Sequence, residues 1–343
     1  MYGKTLLERI FDKIFHVQLI FAIIGIVLTI PHLFITTRKS MRTSSTNSLI
    51  IGIALSDLIV LIVNTIARID QVIKTDDFCW SEGSYLYKLL STIENSCDDI
   101  FTMTSFWLGL ALALIRLLVI KFSMNNSFDT RKLSNVSTGY CIACLLVLLC
   151  SIPSMLNIWE MKIVVVGARW TPPNGCLGYS ANYSEPYHIV VYPTNGVIGI
   201  AGYNKMKGVL QLFDTIIYPI LAILLFWEIQ QAAKRAEALS RKSSLEKNRT
   251  SNMILVLTIA FVIASAPVGI SYFLQAVSWS NETFIMLLGY SSILFSVFFE
   301  LNSIAHVLIC FTMSSEYRKT VRSVLGKDER DLGPPVFKRS TQY

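Results

Sequence analysis

Residues 47–67 read NSLIIGIALSDLIVLIVNTIA, an apolar stretch in which Asp57 is the sole charged side chain. About 20 helical residues cross the roughly 30 Å of hydrocarbon in a bilayer. In lipid, the backbone polar groups of a spanning segment must be bonded within that segment, as they are in a helix. The stretch therefore predicts a transmembrane helix.

Six more stretches have the same character, so the sequence predicts an all-α membrane protein built as a seven-transmembrane helix bundle. Of the 343 residues, 53% are hydrophobic and 15% are charged, against a usual charged share of about 25% in soluble proteins. This composition excludes cytosolic enzymes and disordered regulators. The predicted spans lie near 16–37, 47–67, 91–119, 134–156, 209–228, 251–277 and 284–312.

The segments before the first span and after the last one are short. Residues 1–15 form the predicted extracellular N-terminus. Residues 313–325 place Tyr317 and Val321 on one side and basic residues on the other, the pattern of an amphipathic helix lying on membrane lipid. Residues 326–343 complete the chain as a flexible cytoplasmic tail.

Lysine and arginine are unevenly distributed between the two sets of loops. Nineteen of the 30 fall on the side of the tail and ten on the side of the N-terminus, with Arg116 inside a span. The positive-inside rule therefore places the N-terminus outside and the tail in the cytoplasm of a multi-pass plasma-membrane protein. The net charge of +7 reflects this topology and not nucleic-acid binding.

The predicted topology limits where cysteines and glycosylation sites can act. Cys176, in the long second outer loop, faces an oxidising compartment and could bridge either Cys79 in the first outer loop or Cys97 near the outer end of span 3. We favour Cys79. Two sequons fall outside the membrane and are predicted to be glycosylated, at Asn182 and Asn281.

A polar group at membrane depth is costly unless it is paired or hydrated, so Asp57 is a functional candidate. It could be a protonated acid bonded to a neighbour. Alternatively it could form a sodium or proton site, in which Ser105, Asn302 and Ser303 supply the other oxygens that a small hard cation prefers.

Span 3 carries an acid near its outer end and a base at its inner end. Asp98 and Arg116 are 18 residues apart, five helical turns, so they project from the same face. Arg116 has only apolar neighbours in sequence. It could simply extend to the interface, as arginines at helix ends do, or serve as a donor to carbonyls of a partner in an inner cavity.

The late spans contain residues that permit movement. Pro153, Pro219 and Pro267 each free a backbone carbonyl inside a span and permit a kink. In span 7, Asn302 and His306 share a face. They form either a static polar seam or a network that repacks on activation.

Several motifs together resemble the rhodopsin-like (class A) G-protein-coupled receptors. The set comprises Asp57, Arg116, the prolines of spans 5 and 6, Asn302 and the amphipathic helix after span 7. A second set of short motifs resembles the nematode serpentine receptor class W, a group similar to FMRFamide-type neuropeptide receptors. These motifs are RKSMRTSS at 38–45, WLG at 107–109, ALIR at 113–116, APVGI at 266–270 and MSSEYR at 313–318.

The resemblance implies an extracellular ligand, a short neuropeptide above all, and a heterotrimeric G protein as the inner partner. It assigns coupling and activation to Arg116, Pro267, Asn302 and His306, and it implies no cofactor beyond an allosteric sodium ion at Asp57. The sequence departs from the class pattern because Ile115 replaces the acid before Arg116 and because span 7 reads Asn-Ser-Ile-Ala-His at 302–306. The missing acid predicts altered basal activity.

Other functions stay open at this stage. Asp98 and Asp99 could pair with a cationic amine, or the ligand could be another environmental chemical sensed by a chemoreceptor. A carrier or channel would use Asp57, Glu300 and His306 as an ion or proton path. The sequence contains no HExxH, phosphate-binding glycine loop or nucleophile elbow, so we do not expect an enzyme.

Overall fold

The computed structural model describes residues 6–73, 79, 81–122, 130–173, 176–180, 182–192, 199–238, 244–277 and 282–325. Within these residues the chain forms helices and one pair of strands. The helices are α1 (Leu6–Thr36), α2 (Ser45–Ile73), α3 (Tyr85–Phe122), α4 (Thr130–Leu133), α5 (Val136–Glu160), α6 (Gly199–Ala238), α7 (Ser244–Val277), α8 (Glu282–Met313) and α9 (Ser315–Val324); the strands are β1 (Lys162–Trp170) and β2 (Glu185–Val191).

Seven of these helices are long and apolar enough to cross a membrane, which confirms the predicted bundle. In chain order, spans 1 to 7 correspond to α1, α2, α3, α5, α6, α7 and α8. The predicted amphipathic helix after span 7 is also present, as α9. Its start follows from Ser314, whose side chain accepts a hydrogen bond from the backbone of Tyr317 and thereby caps the first turn.

The helices extend beyond the apolar stretches that predict them. The helix of span 5 begins at Gly199 instead of 209 and continues to Ala238, and α7 begins at Ser244. The basic segment 229–250, expected as an inner loop, is therefore helical except for residues 239–243, which lie outside the described part. Likewise α1 begins at Leu6, inside the expected N-terminal segment 1–15. Hydropathy marks only the part of a helix that meets lipid, since a helix keeps its own hydrogen bonds in water.

Helix α3 is the centre of the bundle. In the most apolar 18-residue stretch of α3, 67% of the residues are buried. In the corresponding stretch of α5, which lies at the periphery, the share is 17%. The core runs along α3 from Phe106 to Ile120 and includes side chains of α2, α6 and α7. Apolar side chains on the opposite faces stay exposed, among them Val27, Leu148 and Ile223, which is the surface that lipid covers.

The connection between α5 and α6 contains a β-hairpin that the sequence reading missed. Strands β1 and β2 pair antiparallel from Lys162 opposite Val191 to Trp170 opposite Glu185, with an irregularity between Val166 and Arg169. The apolar run KIVVV at 162–166 is too short to span a membrane, and its β-branched residues favour a strand. That run is the sequence feature that could have predicted strand β1.

Candidate functional site

A cavity opens at the hairpin end of the bundle. It has a volume of about 540 Å³ and is bounded by α3, α5, α6, α7 and the residues at the end of β2. Its lining is mainly polar and includes Lys88, Asn95, Asp98, Asp99, Tyr203, Lys207 and Tyr272. Ligand pockets in proteins commonly measure about 300 to 1,000 Å³, so this cavity is large enough for a ligand.

A smaller chamber of about 80 Å³ lies deeper in the bundle. It shares Asp98, Asp99, Lys207 and Tyr272 with the larger cavity, so the two adjoin. Its lining residues also include Arg68, Phe106 and Phe299. The combined site therefore reaches from the hairpin to the aromatic core.

Asp99 is held by two side chains of α6. Lys207 Nζ donates to Asp99 Oδ1, and Tyr203 Oη donates to Asp99 Oδ2. The Lys207 ammonium also lies 4.6 Å from the ring centroid of Tyr272 on α7. One buried cation therefore joins α3, α6 and α7, three of the helices that line the cavity.

Lys207 was expected in an outer loop, and the structure corrects this. Lys207 precedes the predicted start of span 5 at 209, so hydropathy did not place it in the bundle. However, Lys207, Gln211 and Asp214 are spaced at i, i+4 and i+7, as residues on one face of a helix are. All three are buried on one side of α6. A polar stripe with helical spacing was the signal that could have placed them inside the bundle.

The two predicted ligand-binding acids have different surroundings. Asp99 is paired with Lys207, whereas Asp98 bonds to the side chain of Thr102 and interacts electrostatically with Lys207 and Arg68. Both are half-buried, and both line the two chambers. Asp99 is therefore a structural acid of the cavity wall, and Asp98 is the one of the two that has no hydrogen-bonded lysine.

The hairpin is fixed over the cavity at several points. Cys79 is bonded to Cys176, the partner favoured over Cys97, which is a free and half-buried thiol in α3. Tyr179 Oη donates to the Cys79 carbonyl over 2.8 Å, and His188 N donates to the Gly83 carbonyl over 2.7 Å. The hairpin thus contacts the segment just before α3.

Asp57 lies in the middle of the bundle with a partner on either side. Ser105 Oγ of α3 donates to Asp57 Oδ1 over 2.6 Å, and His306 Nδ1 of α8 lies 3.8 Å from Asp57 Oδ2. The structure thus brings together Asp57 and Ser105 of the predicted ion site. Asn302 is buried, but its Nδ2 has no hydrogen-bond partner among the described residues, so it does not bond to Asp57.

An aromatic layer separates the two chambers at the hairpin end from the opposite half of the bundle. Phe106 packs edge-on against Phe261 and Phe299, and Tyr218 stacks on Phe261 with ring centroids 5.7 Å apart. Tyr218 Oη also donates to the Phe106 carbonyl. Tyr218 directly precedes Pro219, so the layer lies beside a helix position that lacks its regular backbone hydrogen bond.

The predicted coupling residues occupy different places. Pro267 lies inside α7, one face of which meets the cavity at Tyr272. Arg116 is half-buried toward the C-terminal end of α3, and its Nε is buried without a hydrogen bond to any described residue. His306 is nearer to the middle, beside Asp57.

A second polar cluster lies where α1, α8 and α9 meet. His32 Nδ1 lies 3.1 Å from Tyr317 Oη, and the rings of His32 and His306 are 5.2 Å apart. Cys310 lies beside both histidines. Burial raises the pKa of the Tyr317 phenol, so the group stays protonated at neutral pH. The sequence reading missed His32, Cys310 and Tyr317 as site residues, because they are far apart in the chain.

The glycosylation candidates differ in what the structure says of them. Asn182 is exposed in the connection between the two strands. Asn281 lies outside the described residues.

The seven spanning helices, the cavity under the hairpin and the polar groups along α3 define a multi-pass membrane protein of the seven-helix receptor class. A family model described as "Serpentine type 7TM GPCR chemoreceptor Srw" matches residues 16–328. The chain belongs to this family, and the match confirms the resemblance to serpentine receptor class W. The family is one of receptors, not of enzymes. No curated protein matches the sequence.

Proposed function

We propose that the protein is a plasma-membrane receptor that binds a short extracellular peptide in the cavity under the hairpin and activates a heterotrimeric G protein. The observation that carries the proposal is the cavity itself. It is polar, it is large enough for several amino-acid residues, and it connects through the smaller chamber to the aromatic layer.

The charges of the cavity favour a peptide. Asp98 offers a carboxylate to a cationic group, and Arg68 and Lys88 place basic groups elsewhere in the lining. A peptide can present both signs of charge and backbone donors and acceptors, whereas a simple amine would engage only the acid. The side of the bundle that carries the cavity and the disulfide is extracellular in the orientation predicted from lysine and arginine counts.

The path from ligand to G protein runs through packed side chains. A ligand between α3, α6 and α7 favours the arrangement in which α7 moves outward about Pro267, because Tyr218 and Phe261 on those helices stack directly below the chamber. The movement opens an inner cleft in which the Arg116 guanidinium donates to carbonyls of an inserted G-protein helix.

The test uses the full chain in lipid nanodiscs, with guanine-nucleotide exchange measured on several purified G proteins. A panel of short peptides, amines and volatile compounds is added, and we expect a peptide to stimulate exchange. Folded protein is verified independently by a monodisperse elution profile and a cooperative thermal transition. If no compound of any class changes exchange in such a sample, the proposal is wrong.

Asp98→Asn separates the ligand classes. An amine response should collapse, because the amine loses its counter-ion in a site of low dielectric constant, whereas a peptide response should persist with weaker affinity. Glu82→Gln, which removes an exposed carboxylate next to the hairpin, is the matched control and should leave both responses unchanged. Collapse of the only response found would establish the amine alternative.

A sodium ion at Asp57 is part of the same proposal. Asp57 Oδ2 is buried without a hydrogen bond to the described residues, and Ser105 adds a second oxygen to the site. Sodium should raise the thermal stability of the unliganded receptor, and Asp57→Asn should remove that effect. An equal response to sodium in both proteins would place the ion elsewhere.

A further inference from the structure

Three side chains that can ligate a metal converge between α1 and α8. The nitrogens of His32 and His306 and the sulfur of Cys310 offer ligand atoms that all lie within 4.8 Å of one another. The three residues are 1%, 2% and 3% exposed, so the cluster is fully enclosed by protein. It lies at the end of the bundle where α9 begins, away from the cavity under the hairpin.

Each histidine has a ring nitrogen without a hydrogen-bond partner among the described residues. The Nε2 atoms of His32 and His306 are both buried and have no hydrogen-bond partner among the described residues. A buried polar group without a partner costs about 1 to 3 kcal/mol. Two such nitrogens next to a thiol make a set of donors that one ion could satisfy.

The other ring nitrogens face the partners that metal-bound histidines usually have. His32 Nδ1 lies 3.1 Å from Tyr317 Oη, and His306 Nδ1 lies 3.8 Å from the carboxylate of Asp57. When each Nδ1 carries the proton and its N–H faces the neighbouring oxygen, Nε2 is the nitrogen that presents its lone pair to a metal.

We propose that His32, His306 and Cys310 form a binding site for a zinc ion. Nitrogen and thiolate ligands suit a borderline-soft ion such as Zn²⁺, whereas sodium prefers oxygen ligands, so this site differs from the one at Asp57. Zn–N bonds of about 2.0 Å and Zn–S bonds of about 2.3 Å place tetrahedral ligands roughly 3.4 to 3.8 Å apart. The three donors therefore need to approach by about 1 Å, which small side-chain rotations can supply.

The site has an access route and an open fourth position. A cleft lined by Thr36, Met41, Cys310 and Tyr317, among others, reaches the thiol from the α9 end of the bundle. Three protein ligands leave one tetrahedral position for water. The bound ion joins α1 to α8 and, through the contacts of His32 and His306, stabilises the positions of α9 and α2.

Binding is tested on the full chain in nanodiscs by competition with a chromogenic zinc chelator. We expect one zinc ion per protein in the wild type and loss of that ion in His32→Gln, His306→Gln and Cys310→Ser. Cys150→Ser, which alters another buried cysteine outside the cluster, is the matched control and should bind as the wild type does. Tyr317→Phe removes only the second contact of His32 and should weaken binding by about 10- to 100-fold.

Cobalt gives a spectroscopic readout that the wild type shows by itself and that two variants then assign to the thiol. Co²⁺ bound to the wild type should produce thiolate-to-cobalt charge-transfer absorption in the near ultraviolet, together with the visible bands of tetrahedral cobalt. Cys310→Ser should lose the charge-transfer band, and Cys150→Ser should keep it. A folded wild type that shows no thiolate band at saturating cobalt would overturn the proposal.

Thermal unfolding separates loss of metal from loss of fold. Zinc should raise the melting temperature of the wild type and of Cys150→Ser, but not that of the three ligand variants, because an ion that binds only the folded state stabilises it by mass action. If all three ligand variants bind zinc with wild-type affinity, the ion lies elsewhere and the assignment is wrong.

Discussion

Lys207 of α6 donates a hydrogen bond to Asp99 of α3 and forms a largely buried ion pair in the wall of the cavity. The pair divides two adjacent acids into different roles. Asp99 is neutralised within the protein, and in the proposed function Asp98 interacts with a ligand. The pair also ties α6 to α3 at the hairpin end of the bundle, so a ligand that disturbs the pair would act directly on the helix that carries Tyr218.

Removal of one partner of this pair should destabilise the protein. Asp99→Asn leaves the Lys207 ammonium buried without a counter-charge, which typically costs about 3 to 5 kcal/mol of unfolding free energy. Replacement of both partners by apolar residues, Asp99→Leu with Lys207→Met, should recover most of the loss. Thermal and denaturant unfolding of the purified proteins measure both effects.

The surface pair of Lys319 and Glu316 on α9 is the matched control. Its side chains are 64% and 63% exposed, and their nitrogen and oxygen atoms are 3.1 Å apart. Glu316→Gln should change the unfolding free energy by less than about 1 kcal/mol, because water screens an exposed pair. Equal losses at the two pairs would contradict the structural role of Asp99.

The disulfide should be needed for the stability of the outer end and for ligand binding. Replacement of Cys79 and Cys176 together by serine releases the hairpin from the segment before α3, and loss of such a bond typically costs about 2 to 4 kcal/mol. Thermal unfolding with and without a reductant measures this, and the ligand response should fall in parallel. Cys97→Ser should behave as the wild type, whereas a loss in Cys97→Ser alone would favour the rival bridge to Cys176.

Gly109 lets α3, α6 and α7 approach closely. A β-carbon at this position would meet the Tyr218 hydroxyl and lie 2.8 Å from an edge atom of Phe261. Gly109→Ala should therefore destabilise the protein by about 1 to 3 kcal/mol, despite the better helix propensity of alanine. Gly167→Ala in β1, where a β-carbon would meet nothing within 4 Å, should leave the melting temperature unchanged. A neutral Gly109→Ala would show that the aromatic layer is loosely packed.

Arg116 should be required for G-protein activation and not for ligand binding. Arg116→Gln removes the guanidinium that we assign to the inner cleft, so ligand-stimulated nucleotide exchange should fall more than about tenfold, equivalent to about 1.4 kcal/mol. Ligand affinity without G protein should be unchanged. Arg38→Gln, at an exposed arginine near the end of α1, should retain exchange. Equal losses in both variants would indicate a general effect of inner-face charge.

The sequence by itself determined the membrane architecture. Seven long apolar stretches predicted the spanning helices, and the spacing of Tyr317 and Val321 predicted α9, because hydropathy and helical periodicity are local properties of the chain. The polar residues inside spans, Asp57 and Arg116 among them, were also visible, since a charge among apolar residues stands out without knowledge of the fold.

Only the tertiary structure decided which polar groups meet. His32 and Tyr317 are separated by 285 positions and lie in contact, and Lys207 reaches Asp99 across 108 positions. These contacts depend on how each helix is rotated and how closely it packs, as at Gly109, and such long-range geometry leaves no trace in local hydropathy. The hairpin was missed for a related reason: the β-branched run at 162–166 favours a strand, but which segment pairs with it is decided only by the fold.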